Sequence, residues 1–127
     1  MSANDTLLDD ETVLRHIPGG TTWQAPGPRI TSKNFELRAG ESGISVSRAG
    51  ITSPDALMAR LGDPAKGSRI ASGSVAEVRA LGLEVIADPK DYDQGHALIC
   101  PAVADLQDQI VRRQLAKLFQ FTAVAGN

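Results

Sequence analysis

The sequence predicts a single small α+β domain, with a mixed or mainly antiparallel sheet, two short helices and a longer amphipathic helix at the C-terminus. Three observations carry this expectation. The chain has 127 residues, enough for one hydrophobic core and too few for two independent ones. Apolar patterns of period two and of helical period interleave, without the regular βαβ spacing of a parallel sheet. The composition, 42% hydrophobic and 22% charged, is that of a folding chain. Only 4% of residues are aromatic, so the core must rest on Leu, Ile, Val and Ala.

Residues 1–10 read as a flexible acidic leader, and 11–127 as the domain. Asp5, Asp9, Asp10 and Glu11 place four acids in the first eleven residues without a base. Thr12 to Ile17 forms a strand or one helical turn, ended by Pro18-Gly19-Gly20. Thr21 to Pro28 holds Trp23 and the run Ala25-Pro26-Gly27-Pro28. Its prolines exclude helix, so it reads as an extended surface loop pinned by Trp23. Arg29 to Leu37 reads as extended, anchored by Ile30, Phe35 and Leu37.

After the turn at Ala39 to Gly43, Ile44 to Arg48 alternates as a half-buried strand, with Ile44, Val46 and Arg48 on one side. Ser53-Pro54-Asp55 is a helix start: a capping hydroxyl, proline at the first helical position and an acid in the first turn. That helix turns Leu57, Met58 and Leu61 inward and stops at Gly62. Ser68 to Ser72 is a short extended piece around Ile70.

Ser74 with Glu77 three residues on is a capping box, and Gly82 is placed to end that second helix in a left-handed conformation. Leu83 to Ala87 and His96 to Cys100 read as strands around the charged loop Asp88 to Gly95. The last helix is expected over 103–119, its apolar face made of Val103, Leu106, Ile110, Val111, Leu115 and Leu118. The tail after Gln120 either frays or docks through Phe121 and Val124.

Several functions are disfavoured at once. Thirteen basic against fifteen acidic residues give a net charge of −2, unlike the basic surface of a generic nucleic-acid binder. Setting the first eleven residues aside leaves thirteen basic against eleven acidic residues, so the remaining body is slightly basic. The single Cys100 excludes an intramolecular disulfide and suits a reducing, cytoplasmic setting. Its apolar neighbours suggest an inert thiol. No signal-like or membrane-spanning run is seen. Neither a Walker A loop nor a dinucleotide-binding glycine motif is present, and no cofactor is expected.

A metal site is not expected either. His16 and His96 are far apart in sequence, and His96 and Cys100 would stand about 13 Å apart along a strand. Two groupings remain as candidates. One is polar and extended: Arg29, Thr31, Ser32 and Lys33, then Ser45, Ser47 and Arg48. Hydroxyls and guanidinium forks on one face suit phosphate or carboxylate, and Arg29, Ser32, Ser45 and Arg48 are the candidate ligand-binding residues. The other is His96, a candidate general acid or base.

The runs Thr31-Ser32-Lys33-Asn34-Phe35, Gly43-Ile44-Ser45-Val46-Ser47-Arg48-Ala49, Val78 to Leu83 with Asp88-Pro89, and His96-Ala97-Leu98-Ile99 resemble a group of small bacterial proteins of unknown function. The likeness covers roughly residues 12–101 and implies no particular activity. Small size, this resemblance and the apolar C-terminal helix point to an accessory module encoded with a larger effector. Such a module would bind a protein partner or a second copy through Trp23, Leu115, Phe119 and Phe121. The alternative is a small enzyme or ligand-binding protein for a phosphate-bearing substrate, a nucleotide or nucleic acid, using the Arg, Ser and His set.

Overall fold

Alternating side chains at Thr12–Ile17 (β1), Ile44–Arg48 (β2), Arg69–Ser74 (β3), Glu84–Ala87 (β4), His96–Cys100 (β5) and Gln120–Thr122 (β6) build six strands in a computed structural model of the chain. The structure describes residues 7–18, 30–36, 43–63, 67–100 and 109–122. The strands form one sheet in the order β4-β5-β2-β1-β3-β6, and every neighbouring pair is antiparallel. Helices α1 (Pro54–Leu61), α2 (Val75–Ala80) and α3 (Gln109–Leu118) accompany it, with a short 3-10 turn at Ser32–Phe35. This is the expected α+β class with its sheet wholly antiparallel.

Pairing fixes the faces. Val13 faces Arg48, and Ile44 and Val46 face Ile99 and Ala97. Val13, Ile17, Ile44, Val46, Ala71, Val85, Ala97 and Ile99 thus lie within one buried cluster. Onto them pack Val75 and Val78 of α2, Leu115 of α3, and Phe35 and Phe119, whose ring centroids stand 5.1 Å apart. The opposite face carries Leu14 and Ile70, which α1 covers with Leu57 and Met58. Only four buried apolar side chains lie there, with Ala49 partly buried beside them, so α1 leaves part of that face open.

The start signals work as their chemistry demands. Ser53 Oγ accepts from Ala56 N at 3.1 Å, Pro54 sits in the first turn, and Gly62 N–H closes α1 on Met58 O at 2.8 Å. Ser74 Oγ accepts from Glu77 N at 3.3 Å. Gly82 takes φ of 87° after α2, a conformation costly to side chains with a Cβ.

Three expectations are revised and one left open is settled. Within 29–37, Ser32–Phe35 is a 3-10 turn, because Asn34 Nδ2 donates back to Thr31 O at 3.3 Å and the turn drives Phe35 into the core. β3 runs on to Ser74, pairing along the whole of β1. The tail docks: Gln120–Thr122 forms β6 on β3. The folded body also reaches into the acidic leader, since Leu7 is 2% exposed and its N–H donates to Val85 O at 3.3 Å. Arg79 donates to Leu7 O and to Asp9, and to Glu84 Oε1 at 2.6 Å. Helix α3 is described from Gln109, so the expected 103–108 portion and Val124 lie outside the described residues. Among the described residues, no helix is long and apolar enough to cross a membrane.

The seat of α3 depends on Gly73. A Cβ there would stand 2.9 Å from the Phe119 ring and 3.0 Å from Leu118 Cδ1. Gly73→Ala is expected to lower stability by about 1–3 kcal/mol, the usual cost of overpacking, measured by denaturant unfolding. Unchanged stability would show that α3 seats elsewhere.

Candidate functional site

A cleft opens where two central strands part. The ladder between β1 and β2 comprises only Val13–Arg48 and Leu14–Ser47, although β1 has six residues and β2 five. Beyond it, Arg15 spans the gap, with Nε donating to Asn34 O at 2.8 Å and Nη1 to Ser45 O at 2.6 Å. The cleft beside this parting has a volume of about 480 Å³. Its floor is Leu14, His16, Ser45, Ser47 and His96; α1 supplies Leu57, Arg60 and Leu61, and the 3-10 turn region supplies Lys33, Asn34 and Glu36.

Strand register places the floor. Leu14 pairs with Ser47 and Ser47 with His96, so the three stand side by side on the face that α1 half covers. The loop before β5 then holds His96. Lys90 and Asp93 exchange backbone hydrogen bonds at 3.0 Å each, Asp88 N–H donates to His96 O at 2.8 Å, and His96 N–H donates to Asp93 O at 3.1 Å. This compact turn brings Asp88 against the imidazole: Nδ1 lies 3.0 Å from Asp88 O and 3.1 Å from its Oδ2. Both partners are acceptors, so Nδ1 carries the proton, and Nε2 is the lone-pair nitrogen of the neutral ring. Tyr92 meets His96 edge-on, with centroids 6.3 Å apart.

Behind the floor lies the carboxylate of Asp93, its side chain 1% exposed. Ser47 Oγ donates to Oδ2 at 2.5 Å, Thr52 Oγ1 donates to Oδ1 at 2.5 Å, and Gly95 N–H donates to Oδ1 at 3.0 Å. Arg60 Nη2 reaches Oδ2 at 3.4 Å, while its guanidinium lies 5.0 Å from the Tyr92 ring centre. Burial pushes the Asp93 carboxyl up, but the hydrogen bonds from Ser47, Thr52 and Gly95 and the charge of Arg60 outweigh it and leave the group below its ordinary value. Gly95 has no room for a side chain here, since a Cβ would stand 2.6 Å from Thr52 Oγ1.

His16 faces Ser68, with Nε2 3.2 Å from its Oγ, and that oxygen accepts from Asp63 N at 2.9 Å. Burial, aided by the charge of Arg15, holds His16 below the ordinary histidine value. It is therefore neutral at pH 7. Cys100, half-buried, donates to Leu98 O at 3.6 Å, and burial with nearby Glu84 pushes its thiol up. Among the described residues, no group of three or more His, Cys, Asp or Glu could hold a metal ion.

Two sequence-predicted site residues, Ser45 and His96, line the cleft. Arg48 does not join them: strand alternation turns it to the opposite face, where Nε binds Glu11 Oε1 at 2.8 Å. Ser32 opens the 3-10 turn and does not line the cleft. Arg29 and Trp23 lie outside the described residues. The partner-binding candidates turn inward. Leu115 is 0% and Phe119 3% exposed, and Phe121 is half-buried with the Arg69 guanidinium 5.3 Å from its ring centre.

Sequence reasoning did not select Arg60, His16, Asp88 or Asp93 for this site. For Arg60 a signal existed, three residues after inward-facing Leu57 on the same helical side. Comparison with protein-family models, with curated proteins and with solved structures finds no match to this chain.

The Asp93 network has a pH signature. A carboxyl whose folded value is depressed adds stability above its unfolded value, here near 3.8, and loses it as pH falls through the folded value. Asp93→Ala leaves the Ser47 and Thr52 hydroxyls without their acceptor and should cost about 3 kcal/mol at pH 7. Urea unfolding from pH 7 to pH 2 should show the gap between the two proteins narrowing below about pH 4. A gap constant with pH would mean that Asp93 contributes nothing through its charge.

Proposed function

We propose that this protein binds a phosphate-bearing small molecule, no larger than a nucleotide, in the cleft between β1 and β2. The observation that carries this reading is the charge of the walls. Arg15, Lys33 and Arg60 line the cleft together with two imidazoles, against the single carboxylate of Glu36. Guanidinium and ammonium groups beside serine hydroxyls and a fixed imidazole suit a phosphate oxygen set. The volume of about 480 Å³ falls within the usual range for small-ligand sites. Asp93 does not cancel this field at the mouth, because it lies behind the floor and is shared among Ser47, Thr52, Gly95 and Arg60.

An accessory module that docks a protein partner is the second reading. It draws on small size and on the resemblance to the bacterial group, which we retain as a proposal. It is weaker because Leu115 and Phe119, two of its docking residues, are core residues.

Titration with inorganic phosphate and a panel of nucleoside monophosphates, followed by calorimetry and thermal shift, tests the cleft. A binding member should raise the melting temperature. Lys33→Ala should weaken binding about tenfold, equivalent to roughly 1.4 kcal/mol, without altering the stability of the free protein, since Lys33 is exposed. Rising salt should weaken binding as well. Failure of every phosphate compound to bind at low salt would refute the reading.

A further inference from the structure

We propose that Nε2 of His96 is a phosphoryl acceptor, at which an energy-rich phosphate compound held in the cleft transfers its phosphoryl group to the protein. The proposal rests on the reading of the cleft as a phosphate site and adds a covalent step to it.

Three features lead to this. Nδ1 is enclosed by two acceptors of Asp88, at 3.0 and 3.1 Å, so the tautomer is set and the lone pair of the neutral ring lies on Nε2. His96 is among the residues lining the cleft, its side chain 10% exposed, and among the described residues none hydrogen-bonds Nε2. The neighbouring hydroxyl is also committed elsewhere. Ser47, the cross-strand partner of His96, gives its proton to Asp93 at 2.5 Å. A histidine that activates serine as a base needs that hydroxyl on its own nitrogen. Here the ring nitrogen is itself the nucleophile.

The step balances without a metal or redox partner. The Nε2 lone pair attacks phosphorus and an N–P bond forms. The bond from phosphorus to the leaving group breaks, and the leaving group departs with the bonding pair. The positive charge that develops on the ring faces the Asp88 carboxylate through Nδ1–H, which makes Asp88 a positioning residue. Arg60 and Lys33, on the cleft walls, neutralise the phosphoryl oxygens. Because an N–P bond is energy-rich, the donor must itself be energy-rich: an acyl phosphate, an enol phosphate, a phosphoramidate or a phosphoanhydride. An ordinary phosphate monoester would leave no measurable phosphoprotein.

The test incubates the full chain with phosphoramidate and, separately, with acetyl phosphate, and reads intact mass and fragment spectra. The expected result is one phosphoryl group per chain, on His96, stable in alkali and lost in acid. His96→Asn and His96→Gln should abolish it, with circular dichroism checking that either variant folds. Mapping the label in the unaltered protein makes the result independent of those variants. Asp88→Asn should slow labelling several-fold. Label on another residue, or retained in the His96 variants, overturns the proposal. Phosphate binding without any label overturns it too and leaves the binding reading standing. Neither binding nor label overturns both.

Discussion

One buried carboxylate ties the site together. Asp93 takes hydrogen bonds from β2 through Ser47, from the turn after it through Thr52, and from the residue just before β5, Gly95. A fourth contact comes from α1 through Arg60. These segments are far apart in sequence, and removal of the charged acceptor would leave each with an unsatisfied polar group. The placement of His96 follows from the same turn, because Asp93 is the residue whose carbonyl receives His96 N–H. The loop therefore sets both the back of the cleft and the imidazole on its floor.

The cleft itself comes from a sheet that does not close along its full length. Arg15 holds the open side by donating to backbone carbonyls on two segments, Asn34 and Ser45. A guanidinium spans such a gap better than an ammonium, since its planar fork presents several donors in fixed directions. The Arg15 guanidinium also lies 5.7 Å from the Phe35 ring centre, which links the parting of the strands to the core beneath. Polar groups are thereby fixed on strands, where geometry is firmer than on loops.

Much of the fold was legible. The alternation in Ile44–Arg48 and the capping signals at Ser53 and Ser74 are local, and local chemistry decided them. Alternation also contained a warning about the site: it set Arg48 on the side of Ile44 and Val46, away from Ser45, and the grouping of Arg48 with Ser45 as ligand residues ran against it. The remainder depended on contacts between distant segments. Nothing in the run Asp88 to Gly95 distinguishes Asp93, which is buried, from Asp91, which is exposed; only the approach of Ser47, Thr52 and Arg60 does. The helical stripe of α3 was legible, but its burial by Gly73 and Phe35 turned Leu115 and Phe119 from docking surface into core.

The segment around Leu7 has a colloidal consequence. β4 is a terminal strand, and such strands expose unpaired backbone groups that recruit other chains. Leu7 N–H occupies Val85 O on that outer side, and Arg79 fastens the segment there through Leu7 O and Asp9. At the far end of the sheet β6 has only three residues, which is little template for another strand. Both borders of the sheet are thus blunted among the described residues, one by a covering segment and one by a short strand.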